Sequence, residues 1–308
     1  MYVRTVATAA VLGAAAVLNP GPVAAPAQPP AALSALAGIP EESGAPLVIA
    51  HRGASAQAPE NTLAAVDAAA LLGFRWVEND VQRTRDGELV VVHDEGLART
   101  TDVEERFPSR APWRVRDFTA AEIATLDAGG WFGPAWAGAR VPTLRAYLHR
   151  LDRNRQRLLL EVKRPGLYPG IEGDILRVLR AEGWLDPDRV RRRLVVQSFD
   201  AESLRTVRRL APRVVTGFLG TPPVAELPAY AAFTDQINPP HTTLTADYVA
   251  AVQRLKGPHH RPLRVNTWTV NDPAGARRVA AAGVDGIITD RPDLVREALE
   301  ERTEPGKR

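Results

Sequence analysis

Residues 75–81 read RWVENDV, and residues 86–95 read DGELVVVHDE. The second run climbs into unbroken valine, as a buried strand does. The first has a similar apolar frame, yet Glu78 and Asp80 stand where a core strand carries apolar residues. Side chains alternate across a strand, so both acids point to one side and Asn79 to the other. Substitution of Asn79 is therefore expected to cost folding stability more than chemistry. Two acids on one face of a buried element need partners. These are either an edge-strand ion pair with Arg75, Arg83 or Arg85, or a site.

The rest of the chain supplies the fold that decides between them. Beyond these two runs, short apolar runs fall at 47–50 (LVIA), 158–163 (LLLEVK), 194–198 (LVVQS), 214–219 (VVTGFL), 236–238 (QIN), 263–270 (LRVNTWTV) and 286–289 (GIIT). Helical stretches separate most of them: 60–73, started by Pro59 and stopped by Gly73, then 170–182, 201–210, 246–255, 273–282 and 292–302. This alternation predicts βα units and a parallel sheet. Eight or so units favour an α/β fold of the closed (β/α)8 TIM-barrel type over an open sheet. No Gly-rich dinucleotide fingerprint follows the first strand. Residues 97–157 carry no clear barrel unit; rich in turns and aromatics, they read as a small inserted subdomain between early strands.

Composition narrows the function. The 308 residues include no cysteine, which excludes disulfides and thiolate metal sites. Residues 1–27 have the layout of a secretory signal peptide: Arg4, an apolar run over 6–18, and an A-x-A pattern at 25–27. The apolar run is shorter than the ~20 residues that span a bilayer. A secreted protein with no stable membrane insertion after cleavage is expected. Residues 28–45 read as a disordered Pro/Ala-rich leader, 46–302 as the barrel and 303–308 as a disordered tail. The net charge of +3 suits an anionic substrate. No basic stripe with interleaved aromatics suggests nucleic acid.

In a parallel barrel every strand's C-terminal end faces one rim, where active sites form. His51 and Arg52 follow 47–50, Glu78 and Asp80 close the next strand, and His93 follows the valine run. Glu161 and Lys163 close 158–163, and Trp268 lies near the end of 263–270. Three carboxylates in one barrel mouth repel one another without a cation. All-oxygen ligation suits one hard divalent ion, Ca2+ or Mg2+. His51 and His93 are candidates for general base and acid, because imidazole titrates near neutral pH. Arg52 offers a fork for phosphate or carboxylate, and Lys163 a point charge on the same anion. His149, His241, His259 and His260 lack such settings and read as structural.

These residues also fall into a known pattern. The stretch from His51 to Asp94 holds HRG (51–53), PENT (59–62), E-x-D (78–80), T-x-DG (84–87) and HD (93–94). It resembles the N-terminal signature of glycerophosphodiester phosphodiesterases, of the secreted bacterial type. The later blocks LLLEVK, VVQSFD, VNTWTVND and GVDGIITDRP resemble that family too. The resemblance implies a (β/α)8 barrel with an inserted subdomain that releases sn-glycerol 3-phosphate and an alcohol from a small-molecule glycerophosphodiester. It implies metal ligands at Glu78, Asp80 and Glu161, an acid/base pair at His51 and His93, phosphate contacts at Arg52 and Lys163, and pocket lining at Trp268. By resemblance alone, His51 is the base and His93 the acid. Asn79 and Val66 stand where family members often carry Leu or Ile and Phe. Two other readings stay open: phospholipase D-type cleavage of lysophospholipid or sphingomyelin headgroups, and a non-catalytic phosphodiester-binding barrel.

Overall fold

The computed structural model describes residues 45–188 and 190–301. The expected signal peptide, the leader up to residue 44 and the tail 303–308 lie outside the described residues. Nine strands form one sheet: β1 (Leu47–Ala50), β2 (Trp76–Arg83), β3 (Leu89–Val91), β4 (Arg157–Val162), β5 (Leu194–Ser198), β6 (Val215–Leu219), β7 (Gln236–Asn238), β8 (Arg264–Thr267) and β9 (Gly286–Thr289). All but β3 pair in parallel, and β1 closes the barrel by pairing with both β9 and β2. Helices Leu63–Leu71, Leu144–Arg153, Ile171–Ala181, Ala201–Leu210, Leu227–Ala231, Ala246–Gln253, Pro273–Ala281 and Pro292–Glu300 intervene or follow. The expected TIM barrel is thus present. Among the described residues no helix is long and apolar enough to cross a membrane.

Four expectations need correction. The valine run was expected to end at the rim as a parallel strand, but β3 is antiparallel to β2, with Val81 opposite Val91 and Arg83 opposite Leu89. Only residues 84–88 join them, and a parallel crossover needs a dozen or more. β2 therefore continues into a hairpin that folds back, and Val92 N–H donates to Asp80 O at 3.0 Å. His93 reaches the rim on this return.

The inserted subdomain is also shorter than 97–157. Leu97, Val103, Val115, Phe118, Ile123 and Leu126 form a small core of their own with Val90 and Val92. Helix Leu144–Arg153 belongs to the barrel instead, burying Leu144, Tyr147, Leu148 and Leu151 in the main core. Its aromatic- and turn-rich prelude hid this boundary.

The first helix starts three residues later than expected, at Leu63, with Thr62 as its N-cap accepting from Ala65 N–H. Asn61 adopts φ 59°, outside helical geometry, so residues 59–62 form a turn. Arg52 is left-handed as well, at φ 56°. Beside it Gly53 has φ 84°, and a Cβ there would sit 2.5 Å from the Ala65 Cβ, so the chain needs glycine to pass the helix.

Strand alternation divides the barrel wall. Outward residues Val77, Val81, Leu158, Leu160 and Val162 pack into the main core with the helices. Inward residues Ile49, Trp76, Leu159, Val195 and Ile288 form a separate apolar cluster inside the barrel. Above that cluster the inward positions turn polar, with Asp80 registered opposite Glu161, and Glu161 opposite Gln197.

Asn79 faces outward, as expected, registered opposite Leu160. It is fully buried, and neither its Oδ1 nor its Nδ2 has a hydrogen-bond partner. A buried amide without partners costs about 1–3 kcal/mol, whereas an apolar group of similar shape does not. The expected direction therefore reverses. Asn79→Leu should raise the unfolding free energy by ~1–2 kcal/mol in chemical denaturation and leave kcat unchanged; a loss of stability would contradict this account.

Candidate active site

The β2 and β4 register brings Glu78, Asp80 and Glu161 together, with one oxygen from each within 4.8 Å of the others. All three are buried. Each is held differently. Glu78 Oε2 accepts the Arg52 backbone N–H at 3.0 Å. Asp80 Oδ2 accepts from Asn61 Nδ2 at 2.8 Å and lies 3.4 Å from Arg52 Nε. Glu161 Oε1 accepts from Lys163 Nζ at 2.8 Å, and the same ammonium stands 3.3 Å from Asp80 Oδ1.

This crowding divides the protons. Burial pushes Glu161 up to about 7, and the Asp80 charge adds to the push. Burial likewise raises Glu78 well above the carboxylate range, aided by Asp80 and Glu161. Burial opposes ionisation of Asp80 as well, but Lys163, Arg52 and His93 outweigh it and keep that carboxyl charged. Asp80 Oδ1 accepts no hydrogen bond although it is buried. Three buried carboxylates with an unused oxygen fit a hard divalent cation, and neutral nitrogen or sulfur donors are absent from this group.

Each histidine lies beside this group with Nδ1 tied to an aspartate. His51 Nδ1 is 2.6 Å from Asp290 Oδ1, and His93 Nδ1 is 2.6 Å from Asp94 Oδ1. An ionised carboxylate only accepts, so Nδ1 carries the proton in both and Nε2 is left free. His51 Nε2 lies 4.0 Å from Glu78 Oε2. Burial lowers the His93 pKa; Arg52 and Lys163 lower it too, while Asp80 opposes them. Asp290 is itself held by Ser55 Oγ at 2.9 Å and Asn271 Nδ2 at 2.6 Å. These bonds and His51 outweigh burial and keep its carboxyl well below the usual range.

Arg52 and Lys163 project from neighbouring sides of the acidic group. Trp268 follows β8, donates Nε1–H to Asn238 O at 2.8 Å, and meets Phe199 edge-on at 5.6 Å. Phe199 in turn lies 5.7 Å from Lys163 Nζ. The three form one continuous side of the mouth. A cavity of about 480 Å3 opens beside His51, lined by Arg52, Ser55, Asn271, Asp290 and Arg291 among others.

All eight expected site residues therefore gather at one rim. Reading the sequence set Asn61, Asp94, Phe199 and Asp290 inside family motifs without giving them a role, and passed over Gln82. Gln82 continues the inward alternation of Glu78 and Asp80, a signal that was available. Fully buried, it donates Nε2–H to the carbonyls of Val92, His93 and Asp94 at 2.9, 3.2 and 2.6 Å. Tyr168 Oη donates to its Oε1 at 2.9 Å. Asp290 directly follows the run 286–289, so its place at a strand end was a signal too; its pairing with His51 appears only when β9 closes against β1.

Fold and site together define a barrel enzyme that gathers paired histidines, cationic side chains and an acidic cluster in its mouth. The chain belongs to the glycerophosphoryl diester phosphodiesterase family, a family of phosphoric diester hydrolases, whose model matches residues 51–294. It is 37% identical over 251 residues to a glycerophosphodiester phosphodiesterase of Caldanaerobacter subterraneus, covering 81% of this chain and 96% of that one. A glycerophosphodiester phosphodiesterase of Bacillus subtilis is 34% identical over 261 residues, covering 80% and 84%. Among solved structures, an Oleispira antarctica phosphodiesterase in complex with the product sn-glycerol-3-phosphate superposes with a TM-score of 0.71 at 27% identity, covering 84% of this chain and 99% of that one.

The raised carboxyls give a sign to the pH dependence of cation binding. Glu161, ordinarily near 4.5, sits at about 7 in the cation-free fold. Its protonated form contributes stability that is complete below 4.5 and lost as pH rises through about 7. A cation needs the ionised form, so binding strengthens over the same window, by about 1.4 kcal/mol per pH unit for each proton displaced. Added Ca2+ or Mg2+ should raise the melting temperature more at pH 8 than at pH 5. Equal shifts at both would remove the raised carboxyl from the account.

Proposed function

We propose that this enzyme hydrolyses glycerophosphodiesters to sn-glycerol 3-phosphate and an alcohol, with His51 as base and His93 as acid. Support comes chiefly from one arrangement: two imidazoles, each fixed through Nδ1 by a carboxylate, beside a buried acidic group. Glu78, Asp80 and Glu161 would hold one Ca2+ or Mg2+ ion, whose chemistry here is Lewis-acid polarisation of a phosphoryl oxygen. Arg52 and Lys163 bind the non-bridging oxygens and stabilise charge that grows on them in the transition state. His51 Nε2 takes the proton of the attacking hydroxyl, and Asp290 stabilises the imidazolium that results. His93 delivers a proton from Nε2 to the departing alkoxide. To do so it must first be the imidazolium, protonated on both ring nitrogens, a form that Asp94 at Nδ1 stabilises. Trp268 and Phe199 give the organic part of the diester an apolar wall.

Export from the cytoplasm belongs to the same proposal and rests on the N-terminal leader alone. Protein recovered from culture medium should have the mass left after cleavage near residue 27; the full-length mass there would count against it.

The central test follows release of glycerol 3-phosphate from glycerophosphocholine. Chelation should abolish release, and Ca2+ or Mg2+ should restore it. His51→Ala and His93→Ala should each lower kcat by about 10²–10⁴-fold. Turnover untouched by thorough chelation, or near-wild-type turnover in both variants, would overturn the assignment.

A further inference from the structure

Arg99 is 44% exposed and bonds neither histidine nor Glu78, Asp80 or Glu161 directly. Its fork is nonetheless fully used. NH1 and NH2 donate to Glu60 Oε2 and Oε1 at 2.8 and 2.7 Å. Nε and NH2 donate to Asp94 Oδ2 and Oδ1 at 2.6 and 3.3 Å. Glu60 Oε1 also accepts from Arg52 NH1 at 2.9 Å, and Asp94 Oδ1 is the partner of His93 Nδ1. An alternating chain results: Arg52, Glu60, Arg99, Asp94, His93.

We infer that Arg99 is a positioning residue, holding Arg52 through Glu60 and His93 through Asp94. Its reach spans two separate loops, one after β1 and one at the root of the insertion. The backbone beneath it is fixed, with Leu97 fully buried and Thr101 Oγ1 donating to Leu97 O at 2.7 Å. Asp94 is one-third exposed and has two described partners, Arg99 and His93. Without the guanidinium it is free to turn to water, and the imidazole loses the bond that keeps its proton on Nδ1. Exposed ion pairs contribute little to stability, so this one is better explained by geometry at the site. A lysine cannot replace it, because one ammonium cannot present two parallel pairs of donors to two carboxylates.

The kinetic arm rests on the reading of His93 as acid; the spectroscopic arm does not. With the full chain and added cation, Arg99→Gln should lower kcat for glycerophosphocholine by about 10–100-fold, as misplacement of a catalytic group does. For a glycerol nitrophenyl phosphodiester, whose phenolate leaves without a proton, kcat should fall by less than about threefold. KM should rise for both through Arg52. Arg99→Lys should keep the kcat of the glutamine variant. In ¹⁵N-histidine NMR, His93 Nδ1 should be the protonated nitrogen in the parent protein and lose that preference in Arg99→Gln. Equal kcat losses on both diesters, full rescue by lysine, or an unchanged His93 tautomer would each overturn the inference. If the parent protein cleaved neither diester, the functional reading would fall, while the His93 nitrogen shifts would still decide the role of Arg99.

Discussion

Three carboxylates brought together in a buried barrel mouth set the terms for everything around them. Adjacent parallel strands in this register have no choice about it, because Asp80 and Glu161 sit side by side on β2 and β4 with inward side chains. At such separations each like-charged pair repels by roughly 3–4 kcal/mol in an effective dielectric of about 20. The protein meets this with cations and donors drawn from two places, Arg52 and Asn61 from the loop after β1 and Lys163 from the end of β4, while burial raises the pKa of Glu78 and Glu161. The arrangement offsets the repulsion only in part. Its remaining demand for positive charge is what makes the site chemically useful.

The local backbone follows from that demand. Left-handed conformations at Arg52 and Asn61 are uncommon for side-chain-bearing residues and gather where structure is over-determined. They turn the loop so that a backbone N–H, a guanidinium and an amide all meet the same acids. Gly53 lets this loop lie against the first helix, and the helix begins late because the turn before it is occupied. The same economy holds the histidines, each fixed by an aspartate whose own position depends on further bonds.

Much of this was legible in the sequence, and what was not has physical reasons. Strand alternation placed Glu78 and Asp80 together, and the βα rhythm brought Glu161 to meet them, because both follow from local periodicity. The hairpin of β2 and β3 was also within reach, since five linking residues with a glycine cannot carry a crossover. The pairing of Asp290 with His51 and the Arg99 fork were not, because their partners lie far away in sequence or in an irregular loop without a period. The misjudged end of the insertion had another cause: Leu144–Arg153 follows a stretch of turns and aromatics that masks its helical pattern. Asn79 was correctly turned away from the acids, but its missing partners depend on neighbours that only packing reveals.

The hairpin has one more consequence. The strand that returns His93 to the rim also contributes Val90, and Val92 beside it, to the small core of the inserted subdomain. Chemistry and covering therefore grow from a single stem. A change of insertion, the usual way for barrels of this type to acquire new substrates, cannot be made above the rim alone. The graft must preserve the packing around Val90 and Val92, or it displaces His93 from the rim. Descent within such a fold is then constrained at its root and free at its tip.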